Sequence, residues 1–89
     1  MKNPFKKGHC YRIHCNWTKE DAIAIYEGRE AGYECMVCGK GSNAHGFNIY
    51  QGNLENPTHE QIQDYIDNVG YETWFYGTEH LPELIAEIK

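Results

Sequence analysis

The chain has 89 residues, four cysteines and a net charge of −5. That length holds one domain with a thin hydrophobic core, and no apolar run is long enough to span a bilayer, so multi-domain and membrane-spanning classes are excluded. Residues 1–40 carry seven Lys and Arg against five acids, +2, whereas residues 41–89 carry one Lys against eight acids, −7; an acidic chain of this kind is poorly suited to a phosphate backbone.

The first stretch, MKNPFKKGHC, has lysines but no apolar run behind them, so it does not read as a secretory signal and the expected setting is the cytoplasm. GHCYRIHC (8–15) alternates Tyr11 and Ile13 with Arg12 and His14, as a strand does. Thr18 with Asp21 resembles a capping box, and Ala22, Ile25 and Tyr26 fall on one helical face, which predicts a helix over 19–30. AIAIY also alternates strictly and would suit a strand; the cap and the Glu and Arg that follow favour the helix. Gly32 ends that element, YECMV is a short strand, GKGSNAHG is a turn, and FNIYQ (47–51) returns as a strand.

NPTHEQIQDYIDNVG carries the clearest helix. Thr58 and Gln61 form a capping-box pair, Ile62, Tyr65, Ile66 and Val69 recur at helical spacing, and Gly70 closes the C-terminal end. YETWFYG is an aromatic strand, and HLPELIAEIK places Leu81, Leu84, Ile85 and Ile88 on one face of a last helix, with Pro82 in its first turn. The predicted fold is α+β in a single domain (1–89): an antiparallel sheet of about four strands with helices on one side, a ferredoxin-like βαββαβ order plus a C-terminal helix.

In a reducing compartment four cysteines point to metal rather than to disulfides. Cys35 and Cys38 in CMVCGKG stand two residues apart with a glycine to ease the turn, and the seven residues resemble one knuckle of the zinc-ribbon and rubredoxin type. Cys10 and Cys15 offer the second pair, so the expected site is a structural zinc on Cys10, Cys15, Cys35 and Cys38. An x4 spacing on an extended strand sends its two cysteines to opposite faces unless a bulge intervenes, which makes His45 the alternative ligand, completing Cys15, Cys35 and Cys38. A thioredoxin-like pair would need a helix to begin at Cys35, and Gly39, Gly41 and Ser42 follow instead. GKGS lacks the earlier glycine and the Lys-Ser or Lys-Thr step of a phosphate loop, and AHGFNIY lacks the basic residue, and the aromatic at the required places, of an RNA-recognition strand. No nucleophile setting assembles, so the chain is expected not to be an enzyme.

Acidic residues form the other pattern. Glu60, Asp64 and Asp67 share the outward face of the 58–70 helix, and Glu79, Glu83 and Glu87 repeat at four-residue steps in the last one. Two acidic stripes on neighbouring helices would attract a basic partner, above all a protein that itself holds nucleic acid, and Trp74 or Tyr76 would anchor it. The expected function is a zinc-stapled inhibitor or adaptor, a nucleic-acid mimic of the kind phages encode, with a homodimer compatible. The alternatives are a zinc-ribbon nucleic-acid binder using Lys2, Lys6, Lys7, Arg12 and Lys40, and a small zinc or thiol enzyme.

Overall fold

The computed structural model describes the backbone of residues 3–34, 41–52, 55–76 and 81–89, and the side chains of these residues except 29–34, 41–43 and 76. Its elements are β1 (Cys10–Cys15), β2 (Glu20–Glu34), β3 (Gly41–Tyr50), α1 (His59–Val69), β4 (Tyr71–Tyr76) and β5 (Glu83–Ile88). All five strands join one antiparallel sheet in the order β4-β3-β2-β1-β5. The domain is therefore α+β, with five strands and, among the described residues, one helix.

Two expected helices are strands. Residues 20–34 form β2, where Ile23 and Ile25 point to one side of the sheet and Ala24 and Tyr26 to the other, all four buried. A strand with neighbours on both edges and cover on both faces has apolar residues at every position, and an alternating Ala-Ile run then also satisfies a helical count. Lys19, at φ 62°, breaks the backbone just where the helix would begin. Its N–H donates to the Cys15 carbonyl at 2.7 Å, closing the turn between β1 and β2.

The last element, predicted as a helix, is β5. It runs antiparallel to β1, with Cys10 opposite Ile88, and the register shifts between Arg12 and Ile13 so that Ile85 is bulged out. β1 thus has a partner on both edges, which satisfies its backbone groups around the fully buried Ile13. The ferredoxin-like order is replaced by βββαββ, because the crossover helix between the first two strands is absent and a tight hairpin stands in its place.

The sheet is covered differently on its two faces. On one side α1 lays Ile62 and Ile66 over Cys10, Ile23, Ile25 and Tyr50, with Tyr65 and Ile88 at the margin. The helix begins as expected: the Thr58 hydroxyl accepts from the Gln61 N–H at 3.1 Å, and the Gln61 side chain accepts from the Thr58 N–H at 2.9 Å. Gly70 closes it with its N–H on the Ile66 carbonyl, at a negative φ rather than in the left-handed form.

On the other side lies residues 3–9, an irregular strap. Phe5 sinks into a cluster of Tyr11, Ile13, Ala24, Tyr26 and Phe47, edge-on to Tyr11 and to Phe47 with centroids 5.0 Å apart in each case. The strap is tied by the Asn3 amide to the Tyr26 hydroxyl (2.9 Å), the Lys6 N–H to the Tyr11 hydroxyl (2.8 Å) and the Gly8 N–H to the Tyr26 carbonyl (2.8 Å). Gly28, at φ +103°, forms a bulge beneath it, and a side chain there would meet the stem of Lys7 as well as backbone strain.

Candidate functional site

The candidate metal ligands divide between places that the sheet keeps apart. Cys10 is fully buried among the aliphatic residues under α1, and Cys15 faces the strap side, packed against the aromatic cluster. The β1–β2 ladder is regular from Cys10–Ile25 to Cys15–Glu20, so no bulge brings the two thiols to one face. Five steps at about 3.3 Å rise put their backbones roughly 17 Å apart, whereas one zinc holds each sulfur at about 2.3 Å. The structure does not bring Cys10 and Cys15 together.

Cys35 and Cys38 lie outside the described residues. The chain reaches them from Glu34, which pairs with Gly41 at the far end of β2 from Glu20, the residue opposite Cys15. His45 is also fully buried, on the strap side of β3, with Nδ1 2.9 Å from the Tyr26 hydroxyl and its ring stacked on Tyr26. The Asn3 amide donates to that same hydroxyl oxygen, leaving the Tyr26 proton for His45 Nδ1. Among the described residues, no group of three or more His, Cys, Asp or Glu is placed to hold a metal ion.

The two described thiols are also held away from their reactive form. Burial pushes the Cys10 thiol up to about 11. Burial raises Cys15 too, and the nearby Glu20 and Asp21 carboxylates add to it against a hydrogen bond from Thr18. Both are protonated at neutral pH, and neither is primed as a nucleophile.

The acidic stripe of α1 is where the sequence places it. Glu60, Asp64 and Asp67 are all exposed on the outer face and line a shallow depression with His59 and Gln63. Gln63 donates to Asp67 at 2.8 Å, and the Asn68 amide donates to the Asp64 carbonyl at 2.7 Å. These are neutral donors and leave the carboxylate charges in place. Glu60 sits in the first turn, where the helix dipole favours it; Asp67 lies near the C-terminal end, which has no basic residue, and there the dipole opposes it.

The second stripe does not form. Glu79 lies outside the described residues, and Glu83 and Glu87 are on a strand. Four residues along a regular strand would share a face, but the bulge at Ile85 turns them to opposite sides, with Glu83 across from His14 and Glu87 across from Tyr11. Glu87 lies 3.1 Å from His9 Nδ1, and that hydrogen bond lowers its pKa below the usual carboxylate value.

β4 separates its aromatics as the alternation predicts. Phe75 turns to the strap side, edge-on to Phe47 at 5.4 Å, and Trp74 lies on the helix side across from Gly46. A Cβ on Gly46 would stand 3.2 Å from the Trp74 ring, so the glycine makes room for the indole and Trp74 is half-buried rather than free-standing. The side chain of Tyr76 lies outside the described residues. Trp17, 83% exposed in the turn between β1 and β2, has no place in the sequence reading, and Leu84 and Ile85, expected on the apolar face of a helix, are exposed on β5. Asn16 and Thr18 on either side of Trp17 are the local sign that it caps a turn rather than a core.

No family model, curated protein or solved structure matches this chain. No helix among the described residues is long and apolar enough to cross a membrane.

Proposed function

We propose that this chain is a non-enzymatic binding domain, an inhibitor or adaptor that docks the outer face of α1 on a basic surface of a partner protein, as a mimic of nucleic acid. One observation carries the reading: three carboxylates stand exposed in a row, with Asp67 accepting from the neutral Gln63 amide and kept where the helix dipole disfavours it. Such a row costs the helix a little stability and creates a local negative field that steers basic partners.

Zinc enters this proposal through Cys35 and Cys38, with the remaining ligands drawn from elsewhere than a Cys10 and Cys15 pair. Native mass spectrometry checks it: Cys38→Ser loses the metal, while Cys10→Ala keeps it.

The docking face is tested on an immobilised basic nucleic-acid-binding protein, with labelled duplex DNA as competitor. The chain is retained at low salt and displaces the duplex, and Glu60→Lys with Asp64→Lys and Asp67→Lys abolishes both effects. Direct retention of the duplex by the chain itself, with a steep salt slope, sinks this reading in favour of a nucleic-acid binder.

A further inference from the structure

The strap is joined to the sheet through one turn. From His9 onward the chain belongs to the ladder, the Tyr26 N–H donating to the His9 carbonyl at 3.1 Å. Just before it residues 6–9 reverse direction: the His9 N–H donates to the Lys6 carbonyl at 3.1 Å, and Gly8 takes φ +86°, in the left-handed region. No described atom lies within 4 Å of the place a Gly8 Cβ would fill, so the glycine serves the turn and not the packing.

Beyond that turn the strap is built like a small ligand. The Asn3 side-chain oxygen accepts the Phe5 N–H at 2.9 Å across Pro4, a local turn that the strap makes by itself. The sheet then holds residues 3–6 by side chains: the Tyr26 hydroxyl accepts the Asn3 amide, the Tyr11 hydroxyl accepts the Lys6 N–H, and the Phe5 ring sits among Tyr11, Tyr26 and Phe47. A foreign peptide would have to displace this segment against a tether that keeps it at an effective concentration of about millimolar. The same segment of a second copy gives back every contact it takes.

We infer that the strap exchanges between two copies of the chain: with the turn at 6–9 opened, each copy lays residues 3–6 over the aromatic face of the other. Residues 3–9 reach roughly 23 Å when extended at about 3.3 Å each, which is enough to leave one sheet and cross to another. The closed and exchanged forms share the Phe5, Asn3 and Lys6 contacts and differ at the turn. The conformation of Gly8 and the protein concentration therefore set the balance between them. The exchange is independent of the docking face on α1, and it puts two such faces on one assembly.

Sedimentation equilibrium of the full chain over a concentration series, with no partner present, tests it. A monomer–dimer equilibrium is expected. Gly8→Val strains the closed turn and suits the opened, extended one, and its side chain has room, so it moves the equilibrium toward dimer by on the order of tenfold. In a mixture of isotope-labelled and unlabelled chains, filtered NOEs are expected to join Phe5 of one copy to Phe47 of the other. A chain that stays monomeric at every concentration overturns the inference, and so does a dimer in which Phe5 meets only the Phe47 of its own chain. A folded Gly8→Val chain that dimerises no better than the unaltered one overturns it too. Should Gly8→Val fail to fold, the NOEs of the unaltered chain decide alone.

Discussion

The two faces of the sheet solve the same problem by different means. Under α1 the core is aliphatic, with Ile23, Ile25, Ile62 and Ile66 around Cys10, and the cover is a capped helix of regular geometry. Under the strap the core is aromatic, with Tyr11, Tyr26 and Phe47, and the cover is a segment without regular structure that contributes one deeply buried side chain, Phe5. A helix distributes its hold over several turns. A strap concentrates it, and a few side-chain hydrogen bonds and a single ring carry what a row of isoleucines carries opposite.

That contrast is broken or sharpened first by paired truncations. Phe5→Ala removes the ring at the centre of the aromatic cluster and is expected to cost about 3–5 kcal/mol of stability in denaturant unfolding. Ile62→Ala on the helix side is expected to cost about 2–4 kcal/mol, because neighbouring turns of α1 stay in place. If Phe5→Ala costs less than Ile62→Ala, the strap is an ornament and the concentration of hold on one ring is wrong.

A smaller effect separates the ways in which the two covers are fastened. Thr58→Ala deletes one half of the capping box and is expected to cost about 1 kcal/mol, with the change confined to α1 and the strap contacts untouched. Amide exchange that quickened in the strap as well would mean that the two faces open together.

The smallest effect is one of pH and belongs to the strap side. Glu87, on β5, takes a hydrogen bond from His9 where the strap enters β1, and its folded pKa is lowered. Its contribution is therefore present above the ordinary Glu range near 4.3 and is lost as the pH falls through the lowered folded value. Glu87→Gln should flatten the acid limb of the stability curve slightly, and an unchanged limb would show that the pair is spent on solvent.

The helix-side cover was legible because its signals are local: Thr58, Gln61 and the isoleucine spacing all lie within a dozen residues. The strap was not, because Phe5 is a lone aromatic in a polar stretch, and its partners arrive from β1, β2 and β3. β2 reads as a helix in the sequence because burial on both faces erases the polar alternation that marks a strand. β5 reads as a helix because its bulge breaks the two-residue period, sending Leu84 and Ile88 to opposite faces while their spacing imitates a helical stripe. Among the site residues, the acidic row on α1 follows directly from helical geometry, whereas the row at Glu79, Glu83 and Glu87 vanishes with the helix that was to hold it. The opposed directions of Cys10 and Cys15 follow from the spacing alone once β1 is a regular strand.

The pairing of Cys10 with Ile88 also bears on how the chain comes to be folded. β2, β3, α1 and β4 all lie between β1 and β5 in the chain, so one side of an interior strand stays unpaired until the chain has closed over that whole distance. Closing so distant a contact is slow, because loop entropy is spent before the ladder rewards it. A chain in which that contact is still open exposes Tyr11 and Ile13 on a bare strand edge, where strand-seeking aggregation begins. The docking of six residues, ELIAEI, decides whether that edge is closed or captured.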